Sequence, residues 1–317
     1  MVYCYYFDGV LMNLKFIVSA IVALPLLSSS LFAKGSTKLF SPDVFHHDGS
    51  IDVVKATGAH ILHRDGLRGE GRCIAIIDEE FSPDHMDRYI RRGVIHPDAI
   101  RDGLFITPRE KNFLNYQGIQ NKRKRYMDEL DRKAAANEPF HGVDVLDIAH
   151  SMAPRATILP IDSKLMPGLT FTEQFCNAVR QAMRSNPDVI NISLGLNPEP
   201  EPIFRVMAEA VRRGIAFTIA AGNESSKDNP VFLDYGYAGV DPMPEVFRRL
   251  RGDGMVFAGS LKHKRSGNAV FAKFSQHPLP ERGLIYRYNL LPGTRFFSER
   301  TSGTSYSSPA LAGGMFF

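Results

Sequence analysis

The feature that most constrains this 317-residue chain is a series of short, predominantly apolar runs separated by stretches with helical spacing. Cys73-Ile74-Ala75-Ile76-Ile77 is apolar throughout, as expected of a strand covered on both faces. Thr157 to Ile161, Val189 to Leu194, Ile215 to Ala220 and the shorter Met255 to Ala258 repeat the pattern, with Pro160 weakening the first of these as a strand. Between them, Phe171 to Arg184 sets Phe171, Phe175, Ala178, Val179 and Ala182 on one helical face. Ile203 to Arg213 does the same with Phe204, Met207, Ala208 and Val211 before Gly214 stops it. This alternation predicts an α/β domain with a mostly parallel sheet, whose ligands bind beyond the carboxyl ends of the strands.

Composition removes other classes. With 44% hydrophobic residues and 3 Cys, the chain is neither disordered nor a disulfide scaffold. The 38 basic against 34 acidic residues leave +4, too small a bias to indicate nucleic-acid binding. No G-x-G-x-x-G and no P-loop pattern supports a nucleotide site, and no G-x-S-x-G supports an α/β-hydrolase.

Lys15, the apolar stretch Phe16 to Leu27 and the Ser28-to-Ala33 segment follow the order of a secretory signal, with cleavage expected after Ala33. Met12 is an alternative start. A retained membrane anchor is the other reading, but the apolar run is shorter than the roughly 20 residues that span a bilayer. The expected destination is the periplasm or the extracellular space, with the membrane involved only through the leader. Cys4 leaves with it, and Cys73 and Cys176 are expected as buried free thiols. Residues 34–57 form an N-terminal segment in which Phe45-His46-His47-Asp48 reads as an exposed polar loop rather than a metal site. Residues 88–139 read as a polar insertion. Its basic run Lys122 to Arg125 precedes Asp128, Glu129 and Asp131 at helical spacing, predicting a solvated helix with internal ion pairs.

Four stretches carry chemistry. Asp78 ends an apolar strand, where an ionised carboxylate needs partners. His141-Gly142 opens a helix pattern, and histidine suits proton shuttling. Ala221-Gly222-Asn223 ends another strand, where an amide donor suits a developing oxyanion. Ser302 to Gly313 is a long small-residue run in which Ser305 precedes a helix, with Pro309 placed in that helix's first turn.

Taken together, these segments resemble the subtilisin-like serine proteases (subtilases, peptidase family S8). Gly69 to Asp78 resembles the family's Asp motif. His141-Gly142 with Met152-Ala153-Pro154-Arg155-Ala156 resembles its His motif, and Asn191-Ile192-Ser193-Leu194-Gly195 its substrate-binding strand. Ala221-Gly222-Asn223 resembles its oxyanion segment, and Gly303-Thr304-Ser305-Tyr306-Ser307-Ser308-Pro309 its serine motif. The resemblance implies a three-layer α/β/α fold over residues 58–317 and a serine endopeptidase acting on polypeptides. Ser305 is the implied nucleophile, His141 the base and Asp78 its orienting partner. Asn223 and the Ser305 N–H are the implied oxyanion hole, and the backbone of Ser193, Leu194 and Gly195 pairs with the substrate. The chemistry needs no cofactor. Calcium often stabilises the family, but no acidic loop here has a convincing ligand spacing.

The chain departs from the family in three places. Glu79 and Glu80 replace a small residue and a glycine after the aspartate, and Asp144 and Asp147 enter the His helix. Near the site, these four carboxylates are expected to favour a charged imidazole, a raised working pH and basic substrates. Solvent-facing positions for Glu79 and Glu80 are the alternative. The serine helix stops at Met315-Phe316-Phe317, as in a truncated product, and no long prosegment precedes residue 58. A non-catalytic binding or scaffold protein with the same fold is the competing reading.

Overall fold

The computed structural model describes residues 44–116, 122–195, 200–225, 246, 249–250, 253–265, 268–277, 287–294, 296–297 and 301–316. The leader, Met12 and Cys4 lie outside these residues.

Two short helices, α1 (Val53–Ala56) and α2 (Ala59–Arg64), precede β1 (Cys73–Asp78). Helices α3 (Pro83–Arg91), α4 (Pro97–Arg101), α5 (Pro108–Tyr116), α6 (Lys122–Ala135) and α7 (His141–Met152) then lead to β2 (Thr157–Asp162). After these come α8 (Phe171–Arg184), β3 (Val189–Ile192), α9 (Pro200–Arg212), β4 (Ala216–Ala220) and β5 (Met255–His263). The series closes with β6 (Ala269–Phe271), β7 (Tyr288–Pro292) and α10 (Thr304–Gly314).

The strands form one seven-stranded sheet in the order β2-β1-β3-β4-β5-β6, with β7 also paired to β5. All pairings are parallel except the β5–β6 pair. Helices cover both faces, giving the three-layer α/β/α architecture that the resemblance implied. Pro160 is accommodated because β2 is an outer strand whose ladder partner is β1. Ile74 to Ile77 have no exposed surface, which accounts for the unbroken apolar run. Cys73 and Cys176 are buried and not joined in a disulfide.

The order 2-1-3 places a topological switch point between β1 and β3. Connections from the two strands leave in opposite directions, opening a crevice at their carboxyl ends. Asp78 ends β1 there, and Ser193 follows β3.

Two details differ from the pattern reading. Helix α9 turns Ile203, Val206, Met207 and Ala210 into the core, while Phe204 lies under the Arg249 guanidinium at 3.7 Å. Segment 88–139 is not merely solvated. Tyr89, Ile95, Ala99, Leu104, Phe105 and Ile106 are buried, as are Tyr126, Met127 and Leu130 of α6. Lys124 makes the expected internal pair with Asp128 at 3.1 Å, but Arg123 reaches Glu110 and Lys133 reaches Glu80.

Candidate active site

The Asp78 carboxylate has no exposed surface, and its Oδ1 accepts from His141 Nδ1 at 2.7 Å and from the Glu79 N–H at 2.7 Å. Its Oδ2 is buried and has no hydrogen-bond partner among the described residues. Because Nδ1 is tied to the carboxylate, Nε2 is the ring atom left for proton transfer. His141 is the first residue of α7, and the chain approaches it so closely that residue 142 must be glycine. A Cβ there would lie 2.3 Å from the Glu79 carbonyl oxygen, which accepts the Gly142 N–H at 2.8 Å. The His-Gly pair is thus a steric requirement of bringing the helix mouth onto the end of β1.

The added carboxylates divide. Glu79 pairs with Lys164 at 3.2 Å and Glu80 with Lys133 at 2.6 Å, so neither simply faces solvent. Asp147 turns away to Arg88 at 2.7 Å and has no part in the imidazole's surroundings. Burial opposes charging of His141. The Asp78 charge and hydrogen bond, with Glu80 and Asp144, outweigh it and raise the imidazole to about 9. Asp144 is itself raised to about 6, chiefly by burial, and its Oδ2 has no hydrogen-bond partner among the described residues. Glu80 adopts φ +65°, a left-handed conformation costing a side-chain-bearing residue roughly 1–2 kcal/mol. This is the position where the family places glycine.

The other half of the site is held mainly by hydroxyl and amide groups, with the Glu224 carboxylate accepting from Gln276. Gly222 has φ +101°, and a Cβ there would lie 2.6 Å from the Gln276 side chain. Its N–H donates to Thr304 Oγ1 at 3.0 Å. Asn223 Oδ1 accepts the Thr304 N–H at 2.8 Å and the Thr304 hydroxyl at 3.0 Å. With the amide oxygen fixed by two donors, the Asn223 NH2 remains a donor with no acceptor among the described residues. Thr304 and Tyr306 spend their N–H groups on Asn223 and on the Gly303 carbonyl. The Ser305 N–H makes no hydrogen bond among the described residues and lies in the first turn at the mouth of α10.

Pro309 lies in the second turn, not the first, because α10 already begins at Thr304. Its missing N–H removes the bond that would reach the Ser305 carbonyl four residues back. The Ser193 hydroxyl supplies that bond instead, at 2.8 Å. Proline in this motif thus frees a carbonyl that ties the serine to the end of β3. Buried Asn191 completes the tie. Its Nδ2 donates to Ser193 Oγ at 3.1 Å, and its Oδ1 accepts from Thr218 at 3.1 Å and Ser308 at 2.7 Å. Thr304, Asn191 and Pro309 were visible as motif letters, but their roles depend on the contacts α10 makes with the distant ends of β3 and β4.

The Ser305 hydroxyl donates to the Ser193 carbonyl at 3.1 Å. Among the described residues, no hydrogen bond joins it to His141. The neighbouring Tyr306 ring lies 5.8 Å from the His141 ring, centroid to centroid. Leu194 is half-buried, and Gly195 is exposed with open space around it. Asp48 closes a turn by accepting from the Ser50 N–H and hydroxyl. Among the described residues, no group of three or more His, Cys, Asp or Glu side chains is placed to hold a metal ion.

A parallel sheet with an acid, an imidazole, an amide and a hydroxyl at its carboxyl edge defines an α/β protein of the subtilisin type. A model of the subtilase family of S8 peptidases matches residues 69–240, and the chain belongs to that family. Asp78, His141 and Asn223 fall inside the matched stretch and Ser305 outside it. Subtilisin of Bacillus pumilus is 29% identical over 177 residues, 56% of this chain and 56% of that protein. Subtilisin E of Bacillus subtilis (strain 168) is 27% identical over 177 residues, 56% of this chain and 41% of that protein. The chain spans about half the length of these curated relatives. A lanthipeptide protease structure aligns with 82% of this chain and 76% of its own, at 16% identity and a TM-score of 0.50. Among the described residues, no helix is long and apolar enough to cross a membrane.

Proposed function

We propose that this subtilase is an exported serine endopeptidase acting on polypeptides. The observation that carries the reading is the 2.7 Å Asp78–His141 pair at the switch point, with Ser305 in the first turn of the helix alongside. Ser305 attacks the scissile carbonyl after its hydroxyl rotates from the Ser193 carbonyl toward His141 Nε2. His141 takes the proton and returns it to the leaving amine, while Asp78 holds the ring and stabilises the imidazolium. The oxyanion is held by the Ser305 N–H and the Asn223 NH2. The backbone of Ser193, Leu194 and exposed Gly195 pairs with an extended substrate once the Ser305 hydroxyl releases the Ser193 carbonyl, and the chemistry needs no cofactor. In this reading residues 1–33 are the export leader and 58–317 the catalytic domain.

The hydrogen bond from Ser305 to the Ser193 carbonyl favours a second reading, a subtilase-fold scaffold without turnover. Incubation with an unfolded polypeptide such as casein, with new N-termini mapped by mass spectrometry, decides between them. Cleavage by the wild type and none by Ser305→Ala supports the peptidase. No cleavage by a folded wild type supports the scaffold.

A further inference from the structure

We infer that Glu80, held by Lys133 and Tyr126 of α6, is a positioning residue for His141; the inference rests on the peptidase reading. Helix α7 lacks a side-chain cap of its own, because Phe140 precedes it. Its first N–H groups are met instead from the end of β1. The Gly142 N–H reaches the Glu79 carbonyl, and the His141 N–H reaches the Glu80 carboxylate at 3.3 Å. A carboxylate is the favoured partner for the positive end of a helix.

Glu80 does not hold this place by local preference. Its left-handed backbone is one that glycine adopts freely, so the surroundings must impose it. Two groups of α6 do so. Lys133 Nζ lies 2.6 Å from Glu80 Oε2, and the Tyr126 hydroxyl accepts the Glu80 N–H at 2.6 Å while donating to Asp162 at 2.9 Å. Helix α6 is anchored in turn by its buried Tyr126, Met127 and Leu130. A segment that reads as a polar insertion is therefore a brace. It fixes a carboxylate that fixes the backbone of the catalytic imidazole, and the same charge acts on the ring.

The groups facing His141 are Asp78 from β1, Glu80 from the following loop, Asp144 from α7 itself and Tyr306 from α10. Lys133 of α6 stands behind Glu80, and the His85 ring of α3 lies tilted against the adjacent Phe140, centroids 5.2 Å apart. Removing Glu80 leaves the Asp78 partner untouched, so its effect is separable from loss of the triad.

The test compares the wild type with Glu80→Gly and Glu80→Gln. Glycine takes φ +65° without strain, so Glu80→Gly folds and lacks both charge and acceptor; Glu80→Gln lacks only the charge. The His141 titration, followed by NMR and assigned by its loss in His141→Gln, is expected to fall by about one pH unit in both variants. The low-field Nδ1 proton of the Asp78–His141 bond is expected to weaken in Glu80→Gly and to recover in Glu80→Gln. In turnover, the plateau kcat of Glu80→Gly is expected to drop about tenfold at unchanged KM, with partial rescue by glutamine. An unshifted His141 titration and an intact low-field proton in folded Glu80→Gly overturn the inference. The NMR readouts need no turnover, so they decide the role of Glu80 even if Ser305 proves unreactive.

Discussion

The two halves of the site are held by different chemistry. Around Asp78 and His141 the contacts are charged: Glu80 with Lys133, Glu79 with Lys164, and Asp144 facing the imidazole. Around Ser305 and Asn223 they are mostly neutral: Thr304, Ser193, Asn191, Thr218 and Ser308 exchange hydroxyl and amide bonds, and the Glu224 carboxylate beside Gly222 accepts from Gln276. The charged half sets protonation and responds to pH. The mostly neutral half sets geometry. A substitution in one half should therefore leave the pH signature of the other intact.

The largest expected effect comes from Asp78→Asn. It keeps the shape but presents the wrong imidazole tautomer, and should lower kcat by about four orders of magnitude, as in other serine proteases. A loss below tenfold would mean that the charged half does not govern the base. Asn223→Ala, in the neutral half, should lower kcat by about a hundred- to a thousandfold, the cost known for the oxyanion asparagine of subtilisin. Its pH–rate profile should keep the wild-type shape, and a shifted profile would break the division between halves.

Asn191→Leu removes the acceptor of two buried hydroxyls and the donor to Ser193. Chemical denaturation should show a loss of about 3 kcal/mol, equal at pH 6 and pH 9.

The last effect is one of pH. His141 is raised from 6.5 to about 9, so its contribution to stability is complete below 6.5 and is lost as pH rises toward 9. Activity runs the opposite way, because only the neutral ring is a base. kcat/KM should climb across that window, and an apparent pKa at or below 6.5 would contradict the charged surroundings. Asp144, raised to about 6, adds a further decline in stability as pH passes through that value.

The sequence showed the sheet well because its strands are buried on both faces, so Ile74 to Ile77 is wholly apolar and Val189 to Ile192 is apolar except for Asn191. Asp78, His141, Asn223 and Ser305 were legible because each lies at an element's end within a recognisable motif. The brace was not. Tyr126, Met127 and Leu130 are scattered among Lys and Arg, and their face became apolar only when α6 met the end of β1. The opposite fates of Asp144 and Asp147 were equally hidden, since the second depends on Arg88, fifty-nine positions away. The helical register of Pro309 was misread because the small-residue run gives no sign of where α10 begins.

The most direct test of a reactive serine at this edge is covalent labelling with a fluorophosphonate, read by intact mass and peptide mapping. One adduct on Ser305 in the folded wild type, absent from Ser305→Ala and much slowed in His141→Ala, is the expected result. A folded wild type that gains no adduct, or gains it on another residue, would contradict the account.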